Sequence, residues 1–349
     1  MKKVFKKKIN IKDIAKETGF SMMTVSRALS NPEKVSKLKR DKIEQVINKR
    51  GYIPNLFAGN LKSGKSGFIM VIIPTLRTSI FNEYFTGLRE TLDEQNFQPL
   101  VGITDYSLEK EELIINKFLG YKPEGIIVVG TKHSKKTREI LLRSNVPLIE
   151  TWDLNHRPLD IIVGYSNYEA GYNITDYALK QNYKKILFVT ASYKFMQTEV
   201  RGAKRFRGFV DRMTKENLKF NNFQISDPLD YIKSGKEIFS FYKRHKSNID
   251  CIITFNEMTG HGILSTALKN NIKVPKQLGI AGIGNGGLTD ILENKLTTIN
   301  TNRYLMGKLA ASKLIERING QTLDKRIFDV GTSIVKGFSL WKKILEKDI

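Results

Sequence analysis

A short segment near the amino end, Ser21 to Arg27, carries side chains that suit contact with the base edges of DNA. Arg27 can donate two hydrogen bonds to guanine O6 and N7 in the major groove. Met22 and Met23 can contact only thymine methyl groups or base faces, so this pair offers no hydrogen-bond code. The alternative for the two methionines is that they pack under a neighbouring helix.

Residues that suit the phosphate backbone lie in and after the same segment. Short hydroxyl side chains fit phosphate oxygens, and they are Ser21, Thr24 and Ser26. Cationic side chains that can neutralise phosphates follow at Lys34, Lys37 and Lys39. A surface lysine is usually solvated and screened by salt, so the lysines alone do not establish a DNA contact.

A glycine-rich stretch from Gly282 to Gly287 formally satisfies the GxGxxG pattern of dinucleotide sites. It comes late in the chain, and Thr301 to Tyr304 offers no carboxylate about 20 residues further on. The 4 histidines form no HExxH pair, and no GxSxG motif is present. We therefore predict that the chain is not an enzyme and holds no metal or cofactor. The alternative is a sugar-binding protein or an NAD-dependent α/β enzyme with an accessory basic head.

The sequence around Arg27 predicts three short helices, which must position this residue. Ile11, Ile14 and Ala15 share one helical face, Gly19 ends the first helix, and Ser21 is a natural N-cap for the second. A third helix is predicted over 38–49. A glycine turn between the first two of three short helices is typical of a helix-turn-helix.

Basic residues are concentrated in this region of the chain. The whole chain carries 58 Lys and Arg against 35 Asp and Glu, a net charge of +23. Residues 1–66 hold 17 Lys and Arg against 5 Asp and Glu, or +12, while the other 283 residues carry +11. Biased codon usage would spread its lysines evenly, so the clustering favours a nucleic-acid partner.

Beyond residue 66 the pattern changes to short apolar runs alternating with amphipathic helices. Strands are predicted at 69–73, 99–103, 125–129, 146–149, 185–190, 250–254 and 278–283. Helices between them are predicted at 82–95, 109–119, 168–180, 203–215 and 260–270. This alternation predicts an α/β fold with parallel sheets, and its length favours two similar lobes with a cleft between them.

Cysteine content and the amino end limit where the protein acts. Cys251 is the only cysteine, so no intramolecular disulfide can form. No apolar h-region follows the basic start, and no apolar run approaches the ~20 residues of a membrane span. We expect a soluble cytoplasmic protein with no membrane partner.

Taken together, these motifs resemble the lactose-repressor (LacI) family of bacterial transcription factors. The resemblance is carried in the head by Ile11 to Ser21, Met23-Thr-Val-Ser-Arg27 and Gly51-Tyr52-x-Pro54-Asn55, and it continues through the α/β region. Within the family, the chain is most similar to gluconate-utilisation repressors, through segments such as Asn31-Pro32-Glu33-x-Val35-Ser36 and Thr131-x-His133. The implied partner is a pseudo-palindromic double-stranded operator bound by a homodimer.

The resemblance also implies a hinge after the third helix. In the family this segment becomes helical on the operator and wedges a leucine into the minor groove, a position that Leu61 matches, with Lys62 beside it. Asn55 belongs to the matching motif before it. We expect a DNA-binding head at 1–51, a hinge at 52–66, and an effector-binding and dimerisation domain at 67–349.

A sugar-derived effector, here a sugar acid such as gluconate or its phosphate, is the implied ligand. Such a ligand calls for cations together with amide and hydroxyl groups. The candidates after predicted strands are Phe81, Thr131, His133, Trp152, Asp153, Arg201, Arg205, Asn256 and Asn285. Many family members carry an effector-binding Asp where Asn285 stands, so its absence argues against an ordinary neutral sugar. Without a leucine-heptad tail, a dimer is expected rather than a tetramer.

Overall fold

The first helices begin and end at residues that satisfy their free backbone groups. The computed structural model describes residues 9–53, 66–77, 79–286, 292–293 and 295–341. Asn10 caps the first helix in a capping box with Asp13, and Gly19 ends it in the left-handed region at φ +74°. The helices are α1 (Ile11–Thr18), α2 (Met22–Ser30) and α3 (Lys37–Arg50). The predicted helix-turn-helix is confirmed.

One small core holds these three helices together. Ile14 and Val25 are fully buried and Ile43 is 2% exposed, so each helix contributes one central side chain. The chain divides into two compact units, Met1–Ser66 and Gly67–Ile349, which we call the head and the body.

The body contains two parallel sheets, as the alternating pattern predicts. The six-stranded sheet of the N-terminal lobe has the order β11-β5-β4-β3-β1-β2, and the four-stranded sheet of the C-terminal lobe has the order β7-β6-β8-β9. The strands are β1 (Phe68–Ile73), β2 (Gln98–Ile103), β3 (Gly125–Val129), β4 (Leu148–Thr151), β5 (Ile161–Gly164), β6 (Ile186–Ala191), β7 (Asn221–Ile225), β8 (Cys251–Thr254), β9 (Gly279–Ala281), β10 (Thr298–Asn300), β11 (Ile327–Asp329) and β12 (Ser333–Val335). β10 and β12 form a separate antiparallel pair.

Helices cover both sheets, and the chain passes between the lobes three times. The crossings follow β5, β10 and β11. The helices of the body are α4 (Asn82–Asp93), α5 (Leu108–Leu119), α6 (Lys135–Ser144), α7 (Asn167–Lys180), α8 (Tyr193–Thr198), α9 (Val200–Lys215), α10 (Tyr231–His245), α11 (Glu257–Lys269) and α12 (Arg303–Ile318). No helix in the described ranges is long and apolar enough to span a membrane.

The observed strands differ from the predicted ones in the position of one strand and in strands that were not predicted. The strand predicted at 146–149 is observed two residues later, as Leu148–Thr151. β5, β7 and β11 were not predicted. β7 and β11 are edge strands that carry polar residues and are largely exposed, whereas β5 is buried but only four residues long. β10 and β12 contain three residues each, too few for a clear alternation.

Close helix crossings depend on pairs of glycines. A Cβ atom on Gly171 of α7 would overlap the carbonyl oxygen of Arg205 in α9, and one on Gly208 would overlap the carbonyl oxygen of Tyr168. The same reciprocal arrangement joins α4 to α12 and α10 to α11. Since the backbones touch, the position of α9 is fixed directly against α7.

We therefore expect Gly171→Ala to destabilise the body by about 1–3 kcal/mol, because α7 and α9 must move apart. Gly202→Ala in the same helix α9 is the matched control. Its added Cβ would meet nothing nearer than Phe255 at 3.7 Å. Since alanine favours helix by up to about 1 kcal/mol, the control should be neutral or stabilising. Urea unfolding measures both, and equal effects would contradict the crossing argument.

Candidate functional site

The second helix of the head presents its amino end through a side-chain cap. Ser21 Oγ accepts a hydrogen bond from the backbone N–H of Thr24 at 3.1 Å and lies 3.0 Å from Thr24 Oγ1. Val25 points inward, fully buried. The opposite face of α2 is consequently left for contact with another molecule.

The predicted base-reading side chains lie on that outer face. Met22 is 47% exposed and Met23 is 64% exposed, so neither packs under a neighbouring helix. Arg27 is also exposed, Ser26 is half-buried, and Arg27 forms no ion pair within the described part of the chain. An exposed guanidinium on the same helix as two exposed thioethers is available to a groove of DNA.

The head carries further basic side chains, and two of them are held by a carboxylate. Glu17 accepts from Lys49 Nζ at 3.2 Å and from Arg50 Nε at 2.5 Å. These two bonds lower the pKa of Glu17. Lys39 lies over the Phe20 ring at 5.9 Å. Lys34 and Lys37 are exposed. The hinge predictions for Asn55, Leu61 and Lys62 lie outside the described residues.

In the body, a cavity of about 60 Å³ lies where both lobes meet. Five of the nine predicted effector residues line it, namely Phe81, Trp152, Arg201, Arg205 and Asn256. The wall also includes Tyr106, Tyr165, Phe255, Thr301 and Arg303. The carboxyl ends of parallel strands converge here, which is the usual place for a small-molecule site in open α/β sheets.

Arg205 is held in this cavity by uncharged partners only. Its Nε donates to Asn167 Oδ1 at 2.9 Å, its Nη1 to the Phe255 carbonyl oxygen at 2.5 Å, and its Nη2 to Tyr165 Oη at 2.7 Å. The residue is 8% exposed. The guanidinium is thus oriented, but its charge meets no carboxylate among the described residues.

Arg201 is instead neutralised by a neighbour. Its Nε donates to Glu199 Oε1 at 2.5 Å, and its Nη2 contacts Glu199 Oε2. Burial would lower the pKa of Arg201, but the Glu199 charge outweighs it and raises that pKa. Burial also raises the pKa of Tyr106 beside this pair. Both groups therefore hold their protons in the physiological range.

Trp152 forms the aromatic wall of the cavity in a strained backbone conformation. Its φ is +71°, which is uncommon for a bulky residue. The ring packs against Phe81 and Tyr84, with centroid separations of 4.7 and 5.6 Å. The side chain is 3% exposed, and its Nε1 has no hydrogen-bond partner in the described parts of the chain. A buried, unpaired N–H is a position where a ligand acceptor would be favourable.

Sequence reasoning missed Thr301 and Arg303, which follow the short strand β10. Arg303 Nη2 donates to Glu257 Oε1 at 2.9 Å, whereas its Nε and Nη1 have no partner among the residues described. Thr301 Oγ1 is likewise buried and unpaired there. The available signal was an arginine three residues after the end of a short strand that begins with β-branched residues, Thr298 and Ile299. This pattern is too common to identify a site residue.

The other predicted effector residues do not line this cavity. Thr131 lines a smaller neighbouring cavity that also contacts Arg201. Asn285 lies beside Gly284 of the wall, and its buried Oδ1 has no described partner. The predicted direct roles of Asp153 and His133 need correction, since both side chains are committed to other protein groups.

Asp153 connects the lobes instead of facing the cavity. It is 1% exposed, and its carboxylate accepts from Lys204 Nζ at 2.5 Å, Asn167 Nδ2 at 3.0 Å and Thr131 Oγ1 at 3.1 Å. Lys204 belongs to α9 of the C-terminal lobe. A carboxylate with three donors acts as a structural link between the lobes.

His133 lies in the interior of the N-terminal lobe between two carboxylates. Its Nδ1 is 2.7 Å from Glu111 Oε1, and its Nε2 is 3.6 Å from Glu150 Oε1. Burial of the ring alone would lower its pKa, but the two carboxylates outweigh that effect and raise the pKa to about 9. No cluster of acidic, histidine and cysteine residues that could hold a metal occurs in the described ranges.

Comparison with known proteins gives consistent matches over both units. Residues 10–55 match the family model "Bacterial regulatory proteins, lacI family", and residues 66–330 match "Periplasmic binding proteins and sugar binding domain of LacI family". The chain is 27% identical to the HTH-type transcriptional regulator GntR of Escherichia coli K12, covering 96% of this chain and 99% of that protein.

Two further relatives agree with this. The HTH-type transcriptional regulator IdnR of the same organism is 27% identical, over 95% of this chain and 99% of that protein. A crystal structure of a LacI-family transcriptional regulator from Silicibacter pomeroyi is 31% identical, with a TM-score of 0.88 and coverage of 95% and 99%.

The raised pKa of His133 predicts a loss of stability at alkaline pH. A folded-state pKa of about 9 lies above the unfolded value near 6.5, so the stabilisation is complete below pH ~6.5 and is lost as pH rises through 9. We expect the free energy of unfolding to fall by about 1–3 kcal/mol between pH 7 and 10 in the wild type. Urea titrations across this range measure it.

His133→Gln should be less stable at pH 7 and should lack this part of the pH dependence. The exposed His156 provides the control variant His156→Gln, which should retain the wild-type slope. A His133→Gln protein with the same slope as the wild type would show that the ion pairs do not control alkaline stability.

Proposed function

This chain belongs to the lacI family of bacterial regulatory proteins, and we propose that it is an operator-binding repressor controlled by a sugar acid held between the lobes of its body. It is a DNA-binding transcriptional regulator with a sugar-binding type of domain. The identity of the effector, the residues that read the operator and the homodimeric state are our proposals.

The outer face of α2 supports direct reading of the operator by Arg27. The structure leaves this guanidinium exposed, with Met22 and Met23 beside it, while Val25 anchors the helix from below. Ser21, Thr24 and Ser26 would contact phosphates. Two such heads in a homodimer would bind two half-sites about one helical turn apart, which requires a pseudo-palindrome.

A domain organisation with a separate head fits this proposal. Residues 1–51 would form the DNA-binding head, 52–66 the hinge and 67–349 the effector-binding and dimerisation domain, and the compact units divide after Ser66. Asn55, Leu61 and Lys62 would act from the hinge, with Leu61 as the minor-groove wedge.

One observation carries the effector proposal, namely the uncompensated charge of Arg205. Among the described cavity groups, Arg201 is paired with Glu199 and Arg303 with Glu257. Arg205 has only neutral partners. A buried cation without a counter-charge is costly, so the cavity favours a ligand with one negative charge. Together with the resemblance to gluconate-utilisation repressors, this favours gluconate or a closely related sugar acid.

The geometry of the glycine-rich loop disfavours an enzyme with a nicotinamide cofactor. The relatives are transcriptional regulators, and the glycine-rich loop that suggested a dinucleotide site already holds protein groups. Gly286 N donates to Glu257 Oε2 at 2.6 Å, so this backbone N–H is not available to a pyrophosphate. The loop belongs to the effector cavity, which Gly284 lines.

The effector would act by favouring one arrangement of the lobes. A ligand that binds one arrangement more tightly shifts the population toward it, and by linkage it changes operator affinity by the same coupling free energy. Release of DNA on effector binding is the direction we propose.

Arg27→Ala should reduce discrimination at one base pair of each half-site by about 1–3 kcal/mol, because the bidentate contact to guanine is lost. Fluorescence anisotropy on the operator and on singly substituted operators at fixed salt measures this. Lys34→Ala, from the exposed lysines, should weaken all sequences alike and serves as the control. Unchanged selectivity in Arg27→Ala would contradict direct reading by this residue.

Gluconate should lower operator affinity of the full-length protein, by an amount typical of a 1–3 kcal/mol coupling, about 5- to 150-fold. Arg205→Gln should remove this response while DNA binding without effector remains. Arg207→Gln is the matched control, because the Arg207 side chain lies on the same helix and is 80% exposed. A full gluconate response in Arg205→Gln, or none in the wild type, would contradict the effector proposal.

A further inference from the structure

Unused hydrogen-bond donors are concentrated at one end of the effector cavity. Trp152 Nε1, Arg303 Nε and Arg303 Nη1 are buried nitrogens without a partner among the described residues, and Thr301 Oγ1 is a buried oxygen in the same condition. All three residues line the cavity and are at most 3% exposed. The nitrogens can only donate, so the group that completes this end must be an acceptor.

The glycine-rich loop explains why Arg303 lies in this position. A Cβ on Gly284 would lie 2.5 Å from Arg303 Nη2, and one on Gly286 would lie 2.8 Å from Arg303 Nη1. Side chains at either position would displace the guanidinium or force it to turn. The two glycines therefore leave a cradle that the arginine fills.

Glu257 fixes the orientation of the cradled guanidinium. It accepts from Arg303 Nη2 at 2.9 Å and from Gly286 N at 2.6 Å, and it is 2% exposed. The carboxylate thus occupies one nitrogen of Arg303 and ties the loop to the start of α11. The remaining two nitrogens are held rigidly beside the indole of Trp152, whose ring centroid is 6.0 Å from Arg303 Cζ.

We propose that Trp152, Thr301 and Arg303 form a carboxylate-binding subsite that makes the protein distinguish a sugar acid from the corresponding neutral polyol. This rests on the proposed function and adds the position of the acid group. Arg205, with three of its donors already used by Asn167, Phe255 and Tyr165, supplies the net charge and remaining contacts to hydroxyl groups.

A carboxylate suits this end of the cavity better than a hydroxyl group. Charge-assisted hydrogen bonds are about twice as strong as neutral ones, and a carboxylate accepts several donors at once. A hydroxyl group offers a single neutral oxygen to these donors, whereas a carboxylate offers two charged ones. A site built from buried donors therefore rejects a ligand that leaves those donors unpaired.

Binding of D-gluconate and D-glucitol to the full-length protein tests this subsite, because the polyol has CH₂OH where the acid has its carboxylate. Isothermal titration calorimetry gives both affinities for each variant. The wild type should bind gluconate more tightly. Arg303→Gln should reduce that preference about 10- to 100-fold, and Trp152→Phe, which removes one N–H but keeps an aromatic ring, about tenfold.

Two matched control variants distinguish a loss of the carboxylate subsite from a general loss of protein stability. Trp341→Phe replaces the exposed second tryptophan, and Arg317→Gln replaces an arginine of α12 whose side chain is 41% exposed. Both should keep the wild-type preference. Arg303→Gln leaves Glu257 buried without its cation and can fail to fold. Trp152→Phe does not carry this risk, because Nε1 of Trp152 has no described partner to lose. The result for Trp152→Phe therefore decides the test even if Arg303→Gln does not fold.

The outcomes separate this inference from the proposed function. An undiminished preference for gluconate in Trp152→Phe and in folded Arg303→Gln overturns the subsite and leaves a sugar-acid effector in place. A wild type that binds glucitol as tightly as gluconate, or binds neither, overturns both the subsite and the sugar-acid effector. Loss of preference in the variants, without any operator binding by the wild type, supports the subsite and overturns the repressor.

Discussion

The burial of three guanidinium groups in one cleft is the constraint on which the organisation of the body depends. A buried charge is costly unless hydrogen bonds and counter-charges surround it. Among the described residues, Arg201 and Arg303 have Glu199 and Glu257 as partners, whereas Arg205 has only uncharged ones. The described part of the cavity is therefore one negative charge short of balance, and a ligand that supplies this charge has a free-energy reason to bind there.

Backbone proximity makes this arrangement possible. Arg205 lies on α9, which touches α7 through Gly171 and Gly208, and Arg303 lies against Gly284 and Gly286. In both cases the absence of a side chain lets a helix or a guanidinium approach a backbone directly. The glycine-rich loop thus serves to place an arginine, where its sequence pattern alone suggested a phosphate.

The head differs from the body in the size of its core and in the exposure of its charged side chains. Its core is small, with Ile14, Val25 and Ile43 at the centre, and the side chains proposed to read bases are exposed. An exposed arginine costs little to maintain and gains its specific contacts only from a partner with a matching groove. The body, in contrast, buries the three arginines that line its cavity.

The sequence by itself determined the helix-turn-helix and the two parallel sheets, because caps, glycine turns and hydrophobic periodicity are local signals. The family came from the resemblance of motifs such as Met23-Thr-Val-Ser-Arg27. The sequence also selected five of the residues that line the cavity, since loops after predicted strands meet at one edge. Only the tertiary structure decided which of these groups line the cavity. His133 and Asp153 became internal partners of other charges, while Arg303 and Thr301 line the cavity just after a three-residue strand, where the sequence signal is weak. Whether a polar side chain is satisfied depends on neighbours far away in the chain, and no local pattern records them.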